Sequence, residues 1–171
     1  MDKPRTPDMS SMQAKPQKEH QWLEKLVGDW TYEGNATIES GTPPMKFTGI
    51  ENVRSLGGLW YVAEAKGNMP DGGAATMIMT LGYDPQKKKY VGTWIGSMMT
   101  HLWHYHGAVD AAGKMLTLDS VGPNMASPGS MAKFKDSIEF KSNDLRVLTS
   151  NMLDDDGQWH EVMKAEYRRK K

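Results

Sequence analysis

Residues 77–107, MIMTLGYDPQKKKYVGTWIGSMMTHLWHYHG, constrain the fold more than any other stretch of the chain. Three short runs rich in β-branched and aromatic residues are cut by two turn signals, which predicts an antiparallel meander. Asp84-Pro85-Gln86-Lys87 is turn chemistry: proline pre-sets φ at the first corner and aspartate bonds the backbone ahead of it. Gly96-Ser97 suits a two-residue hairpin turn of the II′ type, with glycine supplying the positive φ. Register follows from that turn. It places Trp94 opposite Met99, Gly92 opposite His101 and Tyr90 opposite Trp103 on one face. Val91, Thr93, Leu102, His104 and His106 take the other face, because side chains alternate along a strand.

The rest of the chain repeats this spacing. A short amphipathic helix begins near Pro16, with Trp22, Leu23, Leu26 and Val27 on one stripe, and ends at Gly28. It is too short to persist alone and must dock that stripe. From Trp30 onward Trp30, Tyr32, Gly34, Ala36 and Ile38 alternate with Thr31, Glu33, Asn35, Thr37 and Glu39, the pattern of a half-buried strand. Turn signals recur at 41–44, 57–58, 70–73, 110–113, 142–144 and 154–157, and a longer irregular segment, GPNMASPG, fills 122–129. Together they mark about ten strands at hairpin spacing. That spacing predicts an all-β antiparallel barrel with one N-terminal helix, closure removing the edges an open sheet would expose.

Length and composition set the limits. The 171 residues suffice for one domain, expected over 16–171 behind a polar, proline-bearing and disordered tail at 1–15. Lysine plus arginine equal aspartate plus glutamate at 21 each, so no basic face exists to track a phosphate backbone, and nucleic acid is not expected as a partner. No apolar run is long enough to span a membrane, and residues 1–21 lack the apolar core of a secretory signal. A cytoplasmic location is therefore expected. Cysteine is absent, which removes disulfides, thiol nucleophiles and cysteine-held metals. Methionine, with 14 copies, sits at alternating positions such as Met77 and Met79, where it can fill a core or give a pocket a pliable lining.

A short helix running into Gly28-x-Trp30 resembles the entrance of calycin barrels, the lipocalin and fatty-acid-binding superfamily. A wider set adds to it: LVGDWTYEG at 26–34, SLGGLW at 55–60, LGYDP at 81–85, GTW at 92–94, THLW at 100–103, and the closing RVLTSNM and EYRR segments. Together these resemble an uncharacterised bacterial family, the domain of unknown function numbered fifteen seventy-nine. The resemblance runs from about residue 15 to the end; it implies a calycin-like barrel and no particular activity. The Gly28-x-Trp30-x-x-x-Gly34 entrance is also similar to nitrobindin-type barrels, which implies a haem held by a histidine near the C-terminus, where His160 stands. Alternation opposes that role: Trp159, Glu161, Met163, Ala165 and Tyr167 form the apolar face, leaving His160 outside with Lys164, Glu166 and Arg168.

Few residues suggest chemistry. His101, placed opposite Gly92 between Trp94 and Trp103, has room to hydrogen-bond a polar guest or simply a core neighbour. His104 and His106 lie two apart on one strand face, with Asp110 nearby, which is chelating geometry for a metal such as zinc. Zinc wants three or four ligands, however, and the two histidines alone do not supply them. Glu64, Asp136 and Glu161 share faces with Val62, Phe134 and Met163, so all three are expected to point inward, where a carboxylate needs a partner or a raised pKa. Neither a Walker loop nor a dinucleotide fingerprint is present.

These observations give a barrel that binds a small, partly apolar ligand, lined by Trp30, Tyr32, Met79, Trp94, His101 and Trp103, with no resident cofactor. An acid–base enzyme using His101 with Glu64, Asp136 or Glu161 is the alternative. The third reading is a packed barrel acting through its outer surface, as a homodimer or interaction module.

Overall fold

The structure is a computed structural model that describes Met9 and residues 13–69 and 71–171. Most of the tail at 1–15, expected to be disordered, and Pro70 of the 70–73 turn lie outside the described residues. One helix, α1 (Lys18–Glu24), precedes ten strands: β1 (Gly28–Ala36), β2 (Met45–Leu56), β3 (Trp60–Asn68), β4 (Ala74–Asp84), β5 (Lys89–Gly96), β6 (Trp103–Val109), β7 (Met115–Pro123), β8 (Met131–Ser142), β9 (Leu145–Leu153) and β10 (Trp159–Arg169). Each strand pairs antiparallel with its neighbours in sequence, and β10 returns to pair with β1, so the sheet closes into a barrel. Among the described residues no helix is long and apolar enough to cross a membrane.

Alternation decides which side of each strand faces inward. In β1, Trp30 and Tyr32 are buried while Thr31 and Glu33 are exposed. Glycine makes room for the inward aromatics: the Tyr32 ring lies over Gly49 and Gly67 on β2 and β3, where any Cβ would collide with its phenol. Two large side chains at those points could not share the inner face, so the small residues fix where Tyr32 sits.

Helix α1 closes one end. Trp22, Leu23 and Leu26 are buried beneath it. Trp22 packs edge-on against Phe140 and Tyr90, with centroids 5.5 and 6.3 Å away, and its Nε1 donates to the Gly113 carbonyl at 2.8 Å. Tyr61 donates its hydroxyl to Glu24 at 2.8 Å, tying β3 to the same helix. Burial and this bond to Glu24 push the Tyr61 phenol up to about 12. At the helix exit Trp30 Nε1 donates to the Leu26 carbonyl at 2.8 Å, and the Arg169 guanidinium donates to the carbonyls of Val27 and Lys25. The same guanidinium stacks over the Trp30 ring at 4.2 Å. Helix, first strand and last strand are thus locked at one corner.

Two local expectations are corrected. The connection after β5 is not a two-residue turn: β6 starts only at Trp103, so Trp94 pairs with Trp103, Gly92 with Tyr105 and Tyr90 with Gly107. His101 therefore precedes the strand and does not face Gly92. In β10 the pairing with β9 slips between Glu161 and Met163, an extra residue that turns over the faces before it. Trp159 and Glu161 are consequently exposed, and the Trp159 ring lies under Lys135 Nζ at 4.7 Å.

Candidate functional site

A cavity of about 420 Å³ occupies the barrel interior and runs toward the end opposite α1. Its position follows from the strand ends that line it. Ala36 ends β1, Met45 starts β2, and Met98, Met99 and Met125 belong to connections on that same side. Methionines crowd the mouth, and Phe47, Leu81, Trp94, Ile138 and Leu148 continue the apolar wall inward. Flexible thioethers around an opening let its outline adapt to what enters.

The polar part of the lining is small and deep. Arg146, at the start of β9, is buried to 3% and donates Nη2 to Glu51 Oε1 of β2. Its guanidinium also lies 4.1 Å from the Tyr167 ring and 4.6 Å from the Trp30 ring. Taking both charges from water is costly, and the pair holds because charge meets charge and the planar guanidinium stacks on aromatic faces. Removing either partner alone would strand the other, at about 3–5 kcal/mol.

Asp136 of β8 forms a second polar centre. Tyr105 of β6 donates its hydroxyl to Asp136 Oδ2 at 2.8 Å. The other oxygen, Oδ1, is buried with no hydrogen-bond partner. Burial pushes the Asp136 carboxyl up, while the Ser150 hydroxyl across the ladder and the Tyr105 phenol pull it the other way. The Tyr105 phenol is held well above its ordinary value, first by burial and then by the charge of Asp136. Tyr167 is pushed up too, by burial and then by Glu51.

Of the lining residues expected from sequence, Tyr32, Met79, Trp94 and Trp103 face the cavity. Trp30 is fully buried beneath Arg146 and supports the floor without lining it. His101 sits outside, in the connection before β6, with Nε2 3.0 Å from the Val121 carbonyl oxygen and its ring edge-on to Trp103. Glu64 points outward and pairs with Lys66 at 3.4 Å, because Tyr61, Ala63 and Ala65 take the inner face of β3. Glu161 is exposed by the β10 slip. Asp136 alone of the four proposed acid–base residues reaches the cavity, so the constellation with His101 is not assembled.

His104, His106 and His160, the other histidines proposed as ligands, are also outside the cavity. His104 and His106 are exposed on either side of inward Tyr105, and the Asp110 carboxylate accepts the backbone N–H groups of Lys114 and Met115 in its own turn. Among the described residues, no three histidine, cysteine, aspartate or glutamate side chains gather to hold a metal. His160 is exposed beyond the rim and bonded to Asp154. With no histidine among the described lining residues, the histidine-held haem of nitrobindin-type barrels does not fit the residues present.

Sequence reasoning passed over Glu51, Tyr105, Arg146 and Tyr167 as parts of a site. Alternation carried a signal for them, since Tyr167 shares a face with Ala165 and Tyr105 with Trp103. Phe47, Gly49 and Val53 put Glu51 on the inner face of β2, and Leu148 and Met152 do the same for Arg146 on β9.

Fold and cavity together define a closed ten-stranded antiparallel barrel with an apolar interior and a polar floor. By sequence the chain belongs to the family described as "Protein of unknown function (DUF1579)", which matches residues 15–169. No protein of curated function matches it. Among solved structures it is similar to Rv2717c from M. tuberculosis, at 12% identity and a TM-score of 0.59, covering 92% of this chain and 100% of that one. It is likewise similar to the S-type phycobiliprotein lyase CPES from Guillardia theta, at 12% identity and a TM-score of 0.58, covering 96% of this chain and 99% of that one. Both likenesses are of fold.

Proposed function

We propose that the protein binds a small, partly apolar molecule inside its barrel. The observation that carries this reading is the cavity itself. A volume of about 420 Å³ lies in the range of small-molecule sites, and its lining has the usual composition: mostly apolar and aromatic, with a few convergent polar groups. Protein interiors seldom leave voids of this size, since close packing is worth more than empty space. The guest enters past the methionine mouth and rests against the aromatic wall. The reading needs no resident haem or zinc. Small-molecule binding in the cytoplasm is its natural setting, without nucleic acid or membrane as a partner.

The test is titration with Nile red, a neutral apolar dye, together with native mass spectrometry of protein taken from its own host. We expect saturable, blue-shifted emission and a co-purified small molecule. A ligand at a hundredfold excess over its Kd should stabilise the fold by about 2.7 kcal/mol and raise Tm accordingly. Linear, non-saturating emission with unchanged Tm and no bound molecule would overturn the proposal.

A further inference from the structure

The charges in the cavity lining do not balance. Glu51 and Asp136 are acidic, and among the described lining residues Arg146 is the one cation. The Arg146 charge is already countered: its Nη2 bonds Glu51 and its plane lies against Trp30 and Tyr167, while its Nε is buried without a partner. Asp136 accepts the Tyr105 hydroxyl on Oδ2. Its Oδ1 is buried, in a wall shared with Phe134 and Ile138, and nothing donates to it. The Ser150 hydroxyl across the ladder is near enough to favour the charged carboxylate but makes no hydrogen bond of good geometry to Oδ1.

We infer that the guest carries a protonated nitrogen, on an alkyl or aryl body, that pairs with the Asp136 carboxylate where it lines the cavity. The inference rests on the ligand-binding reading above and names the chemical class of the ligand. A cation in that position would supply the absent donor and cancel the excess negative charge in one contact. Charge-assisted hydrogen bonds are the stronger kind, and more so away from water. A neutral alcohol could donate to the carboxylate but would leave the charge uncancelled. A carboxylate guest could take the Arg146 Nε donor but would add a further negative charge to a lining that already carries an excess one. The edge-to-face pair of Trp103 and Phe134, at 5.0 Å, offers the apolar body a surface next to the carboxylate.

The experiment compares decylamine, decanol and decanoate at neutral pH, below their aggregation concentrations, by displacement of Nile red from the full chain. Each probe has the same tail, so the head group alone differs. Decylamine is expected to bind roughly tenfold or more tighter than decanol, and decanoate weakest. In the Asp136→Asn and Asp136→Leu variants the amine's advantage over decanol should vanish, with a cooperative urea transition showing that each variant barrel is folded. Equal binding of the three probes, a preference for decanoate, or an amine preference that survives both substitutions overturns the inference and leaves the ligand-binding reading standing. If no probe and no dye binds the unaltered protein, the ligand-binding reading falls, and the inference with it.

Discussion

Asp136 shows how one side chain can hold a fold and a function in opposition. Its carboxyl is pushed up by burial, so the folded chain keeps that proton to higher pH than the unfolded chain does. The sign of the linkage follows. Stability from this group is fully present below the ordinary aspartate value of about 4 and is lost as pH rises through the raised folded value. Above that raised value the ionised carboxylate is a net burden on the empty barrel. Asp136→Asn should therefore match the natural protein in urea denaturation at acid pH and exceed it increasingly as pH rises from about 4 through the raised folded value, with the gap level beyond that value. A gap that does not change with pH would show that Asp136 is solvated like a surface acid. Asp136 was legible as an inward residue because Phe134 and Ile138 flank it at two-residue spacing. Its partner was not, because the register that set His101 opposite Gly92 left Tyr105 without an assigned neighbour.

At the scale of elements, α1 is a plug whose contacts far exceed what its seven residues could hold as an isolated helix. Trp22 carries most of that docking through Tyr90, Phe140 and the Gly113 carbonyl. Trp22→Ala should lower the unfolding free energy by about 3–5 kcal/mol, read from urea denaturation. A loss under about 1 kcal/mol would mean the helix is loosely attached and the closed end is open in solution. Helix, strand number and closure were legible because their signals are periodic: a stripe at helical spacing, then alternation between turn residues. The two misread places are those where periodicity says nothing. Moving the partner of Trp94 from Met99 to Trp103 keeps every side chain on its expected face, so hydrophobic pattern alone cannot detect the longer connection. The β10 slip reverses faces through one extra residue, and Val162 with Met163 gives no local mark of it, since both are apolar and both line the cavity. His101 and Glu161 were misplaced for these two reasons.

For the whole molecule, strand number governs what the interior can be. About eight strands enclose a space that side chains can fill or that holds one small guest, and diameter grows with strand number. Ten strands closed by a short helix at one end leave room that this chain's inner residues, several of them alanine and glycine, do not fill. Ala63 tests whether that room is a property of the folded state. It lies on the inner face of β3, paired with Val53 and Met79, and all three line the cavity. In a filled core Ala63→Phe would be overpacked and lose about 1–3 kcal/mol. Where the space is empty, the ring has somewhere to go. The expected result is a stability change under about 1 kcal/mol together with at least a tenfold weaker Nile red Kd, because the ring occupies the guest's volume. The reverse outcome, lost stability with the dye still bound, would mean that the barrel collapses around its core in solution. Dye would then be held elsewhere, and the exposed apolar side chains Ile95, Leu102, Val121 and Met131 would become the better place to look for what the protein does.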